Sequence, residues 1–175
     1  MQGFEQTRGT GLIADPIYHY MVMTDRIKGE ETERNVIDTP WVQRLRRIFQ
    51  LQSARWVFPT AEHTRFQHSL GTMHVAGTFS EQLYPPLFNV FKAELPSFPY
   101  VDELLRLAGL LHDTGHGPLC HFFDEQYLSR FKTNHEEIGQ QIIREKMSPV
   151  LRGIRRSPHG PFKKGEVVDP NRWPF

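Results

Sequence analysis

Apolar residues recur at helical spacing in four places along the chain, and the polar residues between them mark where each element stops. Leu104, Leu107, Ala108 and Leu111 give a buried helix whose last turn runs into His112-Asp113. Phe66, Leu70, Met73 and Gly77 form the packed side of a second helix within Glu62 to Gly77. Trp41, Leu45, Ile48 and Phe49 make a stripe after Asp38-Thr39-Pro40, a helix start with a capping side chain and a proline in the first turn. Thr133-Asn134-His135-Glu136 has the form of a capping box, with Ile138, Ile142 and Ile143 inward behind it, and Phe122 to Phe131 is helical before it. Strand patterning is sparse. Asp15 to Met23 reads as one short strand after a loose Gly- and Thr-rich arm over residues 1–14, and Arg55 to Phe58 reads as another, ended by Pro59. A polar hinge occupies Lys28 to Arg34. From Ser148 to Phe175 five prolines and six Lys or Arg replace any long periodicity, which predicts an irregular basic tail over the surface.

The helix ending in His112-Asp113 carries the chemistry, because an imidazole and a carboxylate are costly to bury unless paired or bound to a metal. Thr114-Gly115-His116-Gly117-Pro118 cannot continue a regular helix, and Pro118 is placed to open the next one. His112, His116 and His121 thus fall within ten positions around one turn. Taken singly, each reads as a hydrogen-bonded core histidine and the aspartate as a cap. Taken together they have the ligand types that borderline divalent metals prefer. The preceding helix offers His63, His68 and His74, and six positions separate the last two by roughly a third of a turn, so one of them is structural. Arg65, three positions before His68, shares its side of that helix. Arg44, Arg46 and Arg47 lie largely off the stripe of their helix; a solvated face is the ordinary reading and contact with phosphate the alternative.

Composition narrows the class. A chain of 175 residues is enough for one domain with a sizeable core, and no stretch suggests disorder or a membrane span. The net charge of +1 argues neither for nor against nucleic acid, and the N-terminal residues lack the apolar run of a signal peptide, so the cytoplasm is the expected compartment. The single cysteine, Cys120, excludes an intramolecular disulfide framework and a multi-cysteine zinc site; it is either an accessory ligand or buried packing.

His68, His112-Asp113 and the continuation His112-Asp113-Thr114-Gly115-His116-Gly117-Pro118-Leu119-Cys120-His121-Phe122-Phe123-Asp124-Glu125 resemble the HD-domain metal-dependent phosphohydrolases. Within these the chain looks most like the deoxynucleoside triphosphate triphosphohydrolases, the group that includes the SAM-and-HD-domain restriction enzyme. Further matching pieces follow in order: Asp15-Pro16-Ile17, Asp38-Thr39-Pro40 with Gln43 to Arg46, Gln50-Leu51, Val57-Phe58-Pro59, Arg65 to Gly71 and His135-Glu136. The resemblance implies a mainly α fold, an HD helical bundle with one short β-hairpin, whose N-terminal part spans residues 15–147. It implies that His68, His112 and Asp113 bind a divalent ion (Fe, Mn, Mg, Zn or Ni), and that His116, Asp124 and His135 form an acid/base group beside it. His121 and Arg65 would address phosphate oxygens and Gln50 the sugar. The substrate would be a nucleotide, most simply a dNTP cleaved to deoxynucleoside and triphosphate, and the protein a homo-oligomer without membrane attachment.

The family pattern also has a fourth ligand, an aspartate on a later helix beyond the position of Phe175. Asp169-Pro170-Asn171-Arg172-Trp173-Pro174-Phe175 echoes that segment only faintly, with Asn171 at the ligand position. The chain is therefore expected to be incomplete relative to the family and weak in turnover by itself. The alternatives are a catalytically weak HD module that binds nucleotide or a protein partner and, with less support, an HD phosphodiesterase or nuclease; the basic tail is the only feature that favours nucleic acid.

Overall fold

The computed structural model describes residues 9–172. Thr10–Asp15 (β1) and His19–Thr24 (β2) pair antiparallel in the register Leu12 to Val22 and Asp15 to His19. The single strand expected over Asp15 to Met23 is thus broken at its start by a turn. Asp15 Oδ1 accepts from the amides of Ile17 and Tyr18 at 2.8 and 3.0 Å, Pro16 restricts the backbone between them, and His19 takes a φ of 62°. Residues 10–14, expected in a loose arm, supply β1; the first eight residues of that arm lie outside the described residues. Met21 and Met23 face the core.

The polar hinge ends in a short helix, Glu33–Ile37 (α1), capped by Thr32, whose side chain accepts from Asn35 N. Pro40–Gln43 (α2) starts where the capping signal places it but passes directly into a 3-10 turn, Arg44–Arg47, which buries Leu45. Arg55 to Phe58 is not a strand. Ala54–Trp56 is a 3-10 turn, and Trp56, Val57 and Phe58 stand exposed with no strand beside them to pair with.

Arg65–Phe91 (α3) opens with a capping box between Thr64 and Gln67 and runs on through Pro85 and Pro86. Phe98–Leu111 (α4) lies against it, burying Leu107, Leu110 and Leu111. The two backbones approach closely at Gly109, where a Cβ would stand 2.8 Å from Thr72 O. Only a glycine permits that approach, and it brings the first two turns of α3 alongside the last turn of α4.

Pro118 does not open the next helix. Leu119 and Cys120 take left-handed φ values of 61° and 51°, and the helix, Cys120–Gln126 (α5), begins only at Cys120, with Leu119 as its N-cap, and ends before a 3-10 turn at Leu128–Phe131. His135–Gln141 (α6) is capped by Asn134, one residue later than the sequence suggests, with the Asn134 carboxamide accepting from Glu137 N at 2.9 Å. Ile142 and Ile143 follow in a π turn and are buried as expected.

The expected irregular tail is built into the fold. Pro149 stands in the first turn of a helix, Ser148–Gly153 (α7), instead of breaking one, and Leu151, Ile154 and Val168 are fully buried. Arg156–Ser157 (β3) and Gly160–Pro161 (β4) form a second, minimal hairpin. Arg156 Nε meets Glu30 Oε2 at 2.8 Å, and Glu166 accepts from Ser97 N, Ser97 Oγ and Lys163 N, fastening the segment to the start of α4. The architecture is mainly α, as the resemblance implies, with two short hairpins among the described residues where one was expected.

Two outcomes follow. Leu151→Ala should cost roughly 2–5 kcal/mol of stability in denaturant unfolding, as core truncations do, whereas a surface tail would show almost none. Burial raises the pKa of Glu166, but its hydrogen bonds from Ser97 outweigh this and the net shift is downward. A carboxyl with a lowered folded pKa stabilises above its unfolded value, about 4.3, and that contribution disappears as pH falls through the folded value. The melting-temperature gap between the parent and Glu166→Gln should therefore narrow from pH 6 towards pH 3; a constant gap would exclude this contribution.

Candidate metal and acid-base site

The close approach of α3 and α4 places His68 opposite His112, with Nε2 atoms 3.1 Å apart. Asp113 completes the group: its Oδ1 is 3.3 Å from His112 Nε2 and its Oδ2 3.7 Å from His68 Nε2. His112 Nδ1 stands 2.8 Å from the Gly109 carbonyl oxygen, which assigns the proton to Nδ1 and leaves a lone pair on Nε2. Burial lowers the pKa of His68, with Asp113 opposing and His112 and Arg65 assisting, so this ring favours its neutral form. Two neutral ring nitrogens and a carboxylate oxygen converging in this way fit a cation. Ligands about 2.1 Å from a divalent ion and 90–110° apart stand about 3.0–3.4 Å from one another, close to the separations found. The side chains of His68 and His112 are about a third exposed (36% and 34%), so one side of the group faces solvent.

A second group lies on the other side of Asp113. His116, His121, Asp124 and His135 also bring their ligand-type atoms within 4.8 Å of one another. His116 and His135 stack at 3.7 Å and 11°, and His121 meets both rings edge-on at 4.8 and 5.1 Å. A short hydrogen bond joins His135 Nδ1 to Asp124 Oδ2, and His121 Nδ1 is 3.7 Å from the same oxygen. His116 Nε2, 3.4 Å from Asp113 Oδ1, links the two groups. Burial, reinforced by Arg65 and His135, pushes the pKa of His116 down to about 3, so it is neutral at physiological pH. His116 Nδ1 and Asp124 Oδ1 are buried without a partner, a cost of about 1–3 kcal/mol each that a bound ligand or water would relieve.

Arg65 is nearly inaccessible. Its Nη1 meets Asp113 Oδ2 at 2.5 Å and its Nε meets Cys120 Sγ at 3.0 Å, so it stands behind the metal group with its charge on Asp113. Burial raises the pKa of Asp113, but His112, Arg65 and His116 lower it further and the carboxyl stays ionised. Cys120 is buried on Arg65 and the Phe49 carbonyl, outside both groups. Gln50 Oε1 is buried without a partner. His74 packs against Tyr18 at 4.9 Å, making it the structural member of its pair. Asp169 pairs with Arg152 at 2.6 Å, away from both groups; Trp173 to Phe175 lie outside the described residues.

Two features escape the sequence pattern. A cavity of about 390 Å³ opens beside His112, Asp113 and His135, with Glu136 and Gln140 from α6 on its far wall. Arg44, which reads as part of a solvated face, reaches the turn that follows Asp113. A larger cavity of about 920 Å³ runs along the outer face of α4, past Tyr100, Leu104 and Ala108, and touches none of the site residues.

A family model described as the HD domain matches residues 65–164. The Dictyostelium discoideum homologue of deoxynucleoside triphosphate triphosphohydrolase SAMHD1 is 32% identical over 143 residues, which cover 80% of this chain and 26% of that protein. The Homo sapiens SAMHD1 enzyme is 34% identical over 186 residues, covering 94% and 27%. Among solved structures, a phosphohydrolase from Bacteroides thetaiotaomicron superposes with a TM-score of 0.63 at 32% identity, over 82% of this chain and 32% of that one. The chain thus spans about a quarter to a third of the length of these relatives.

His112→Ala and Asp113→Ala should each remove most of the metal that copurifies with, or titrates into, the protein, read by elemental analysis. Unchanged occupancy in both would place the ion elsewhere.

Proposed function

Since the chain belongs to the HD domain family, we propose that it acts as a metal-dependent phosphohydrolase on nucleotides, and most specifically that it takes part in cleaving dNTPs to deoxynucleoside and triphosphate. The observation that carries this reading is the sharing of Asp113 between a cation-binding triad and an acid/base group. An ion held by His68, His112 and Asp113 (Fe, Mn, Mg, Zn or Ni all suit the donor set) would polarise a phosphate oxygen and acidify bound water.

The remaining work falls to the chain. Cleavage of the bond between the α-phosphorus and the 5′ oxygen needs a proton taken from water and a proton given to the leaving oxygen. The Asp124–His135 pair, joined by its short hydrogen bond, holds a proton beside the site, and neutral His116 offers an unpartnered Nδ1 as an acceptor. His121, whose side chain is 62% exposed, is placed to meet phosphate oxygens. Arg65, nearly inaccessible behind Asp113, would act on phosphate only through its charge and not by contact, and the unpartnered Gln50 carboxamide oxygen is assigned to a sugar hydroxyl. The relatives named for dNTP triphosphohydrolysis support this choice of substrate.

A second reading, a nucleotide-binding HD module with little turnover, draws on the metal triad itself, which has three protein ligands among the described residues. The two separate in one experiment. The metal-loaded chain is incubated with each dNTP, and triphosphate, pyrophosphate and single phosphate are assayed separately. The expected product is triphosphate, released slowly and reduced at least 100-fold in a His116→Ala, Asp124→Ala variant. Saturable nucleotide binding without any product would favour the binding module, and single phosphate as the main product would reject the triphosphohydrolase assignment.

A further inference from the structure

Arg44 occupies the 3-10 turn Arg44–Arg47, just after α2, yet it bonds to residues seventy and seventy-two positions away. Its Nη1 donates to the His116 carbonyl oxygen at 2.7 Å and its Nη2 to that of Thr114. One planar guanidinium thus holds the two carbonyls on either side of Gly115, and among the described residues no backbone amide donates to either. On the opposite side the turn presses on the start of α6. A Cβ at Gly115 would overlap the His135 carbonyl oxygen and stand 2.5 Å from Gly139 N. The turn from Asp113 to Gly117 is therefore held between a guanidinium fork and a helix backbone.

Both holds converge on one residue. The carbonyl of His116 is fixed by Arg44, while its ring is stacked on His135 and set 3.4 Å from Asp113. We infer that Arg44 is a positioning residue of this site: by chelating the carbonyls of Thr114 and His116 it sets where the His116 ring stands relative to Asp113 and His135, and so keeps the acid/base group in register with the metal triad. The catalytic consequence rests on the phosphohydrolase reading; the positioning itself does not. A lysine at this position keeps the charge but, as a compact ammonium, cannot reproduce a planar fork across two acceptors.

The test compares the full chain with Arg44→Lys and Arg44→Ala, each loaded with Zn(II), using ¹⁵N-labelled histidine spectra and amide hydrogen exchange. In Arg44→Lys the protein should stay folded and bind one equivalent of Zn(II). The ring nitrogens of His116 and His135 should shift while those of His74 and His159 do not, and exchange at Gly115 to Gly117 should accelerate at least 10-fold. In Arg44→Ala, guanidinium ion at tens of millimolar should return the His116 ring signals towards those of the parent. Where nucleotide is turned over, kcat should fall at least 10-fold with KM within 2-fold. His116 signals and turn exchange identical to the parent in both variants would overturn the assignment. So would loss of the folded state in both, which would assign Arg44 to the fold alone. Absence of hydrolysis in the parent would count against the proposed reaction, and the spectra and exchange would still decide the role of Arg44.

Discussion

A carboxylate buried at 5% exposure and kept ionised needs positive or polarised partners on every side, and Asp113 has them. Arg65 meets one oxygen at 2.5 Å, His112 and His116 approach the other at 3.3 and 3.4 Å, and His68 stands 3.7 Å away. These four partners come from α3, from the residue after α4, and from the turn beyond it. Satisfying one charge therefore fixes how three pieces of chain meet. Removing one partner of such a buried pair is costly because the other remains charged and unpaired. The same argument explains why Arg65 lies behind Asp113 with little access to solvent: together with His112 and His116 it holds the carboxylate ionised.

The helix that delivers Asp113 is held by electrostatics along its other face as well. Arg106 on α4 bonds Glu33 at 2.6 Å and the Val22 carbonyl at 2.7 Å, tying α1 and β2 to the same helix. Burial works against the Arg106 charge, but Glu33 more than compensates and its net pKa shift is upward. Glu103, fully buried with both oxygens unpartnered, has its pKa raised well above the usual carboxylate range, first by burial and then by Glu33, and so is held neutral. Asp102, one turn before Arg106 on α4, accepts from Ser80 Oγ at 2.6 Å and meets His159 Nδ1 at 2.9 Å. The β3–β4 turn that carries His159 is thereby fastened to α3 and α4. Apolar packing places α4 against α3, and these pairs fix its rotation and its height, on which the alignment of His112 with His68 depends.

Much of the site was legible because its signals are local. An apolar helical repeat that ends in an imidazole and a carboxylate, followed by two glycines and a proline, has few bland explanations, and periodicity required one of His68 and His74 to be structural, while the resemblance pointed to His68 as the ligand. What could not be read depends on distant partners. Leu151, Ile154 and Val168 sit among prolines and basic residues without a period, and their burial follows from a bridge between Ile154 and Glu31 and from the Glu166 bonds to Ser97, neither of which leaves a pattern in the sequence. Arg55 to Phe58 has strand-like residues but, among the described residues, no strand pairs with it. Arg44 looks like its neighbours Arg46 and Arg47, and only the path of the chain distinguishes it: Arg46 lies over the Phe66 ring at the surface, whereas Arg44 points inward to two carbonyls.

The division of labour between the histidines follows from the same charge. Burial and the nearby Arg65 already hold His116 neutral, and a cation bound through Asp113 would add positive charge that pushes the same way. Within the proposed reaction His116 is then an acceptor or a ring that orients others, and it cannot be the acid. Proton donation to a leaving oxygen is there assigned to the Asp124–His135 pair, which a hydrogen bond joins, with the exposed His121 ring 3.7 Å from the same carboxylate oxygen. The stack of His116 on His135 keeps the acceptor and the donor one ring apart, at 3.7 Å, while Asp113 anchors the acceptor to the metal side.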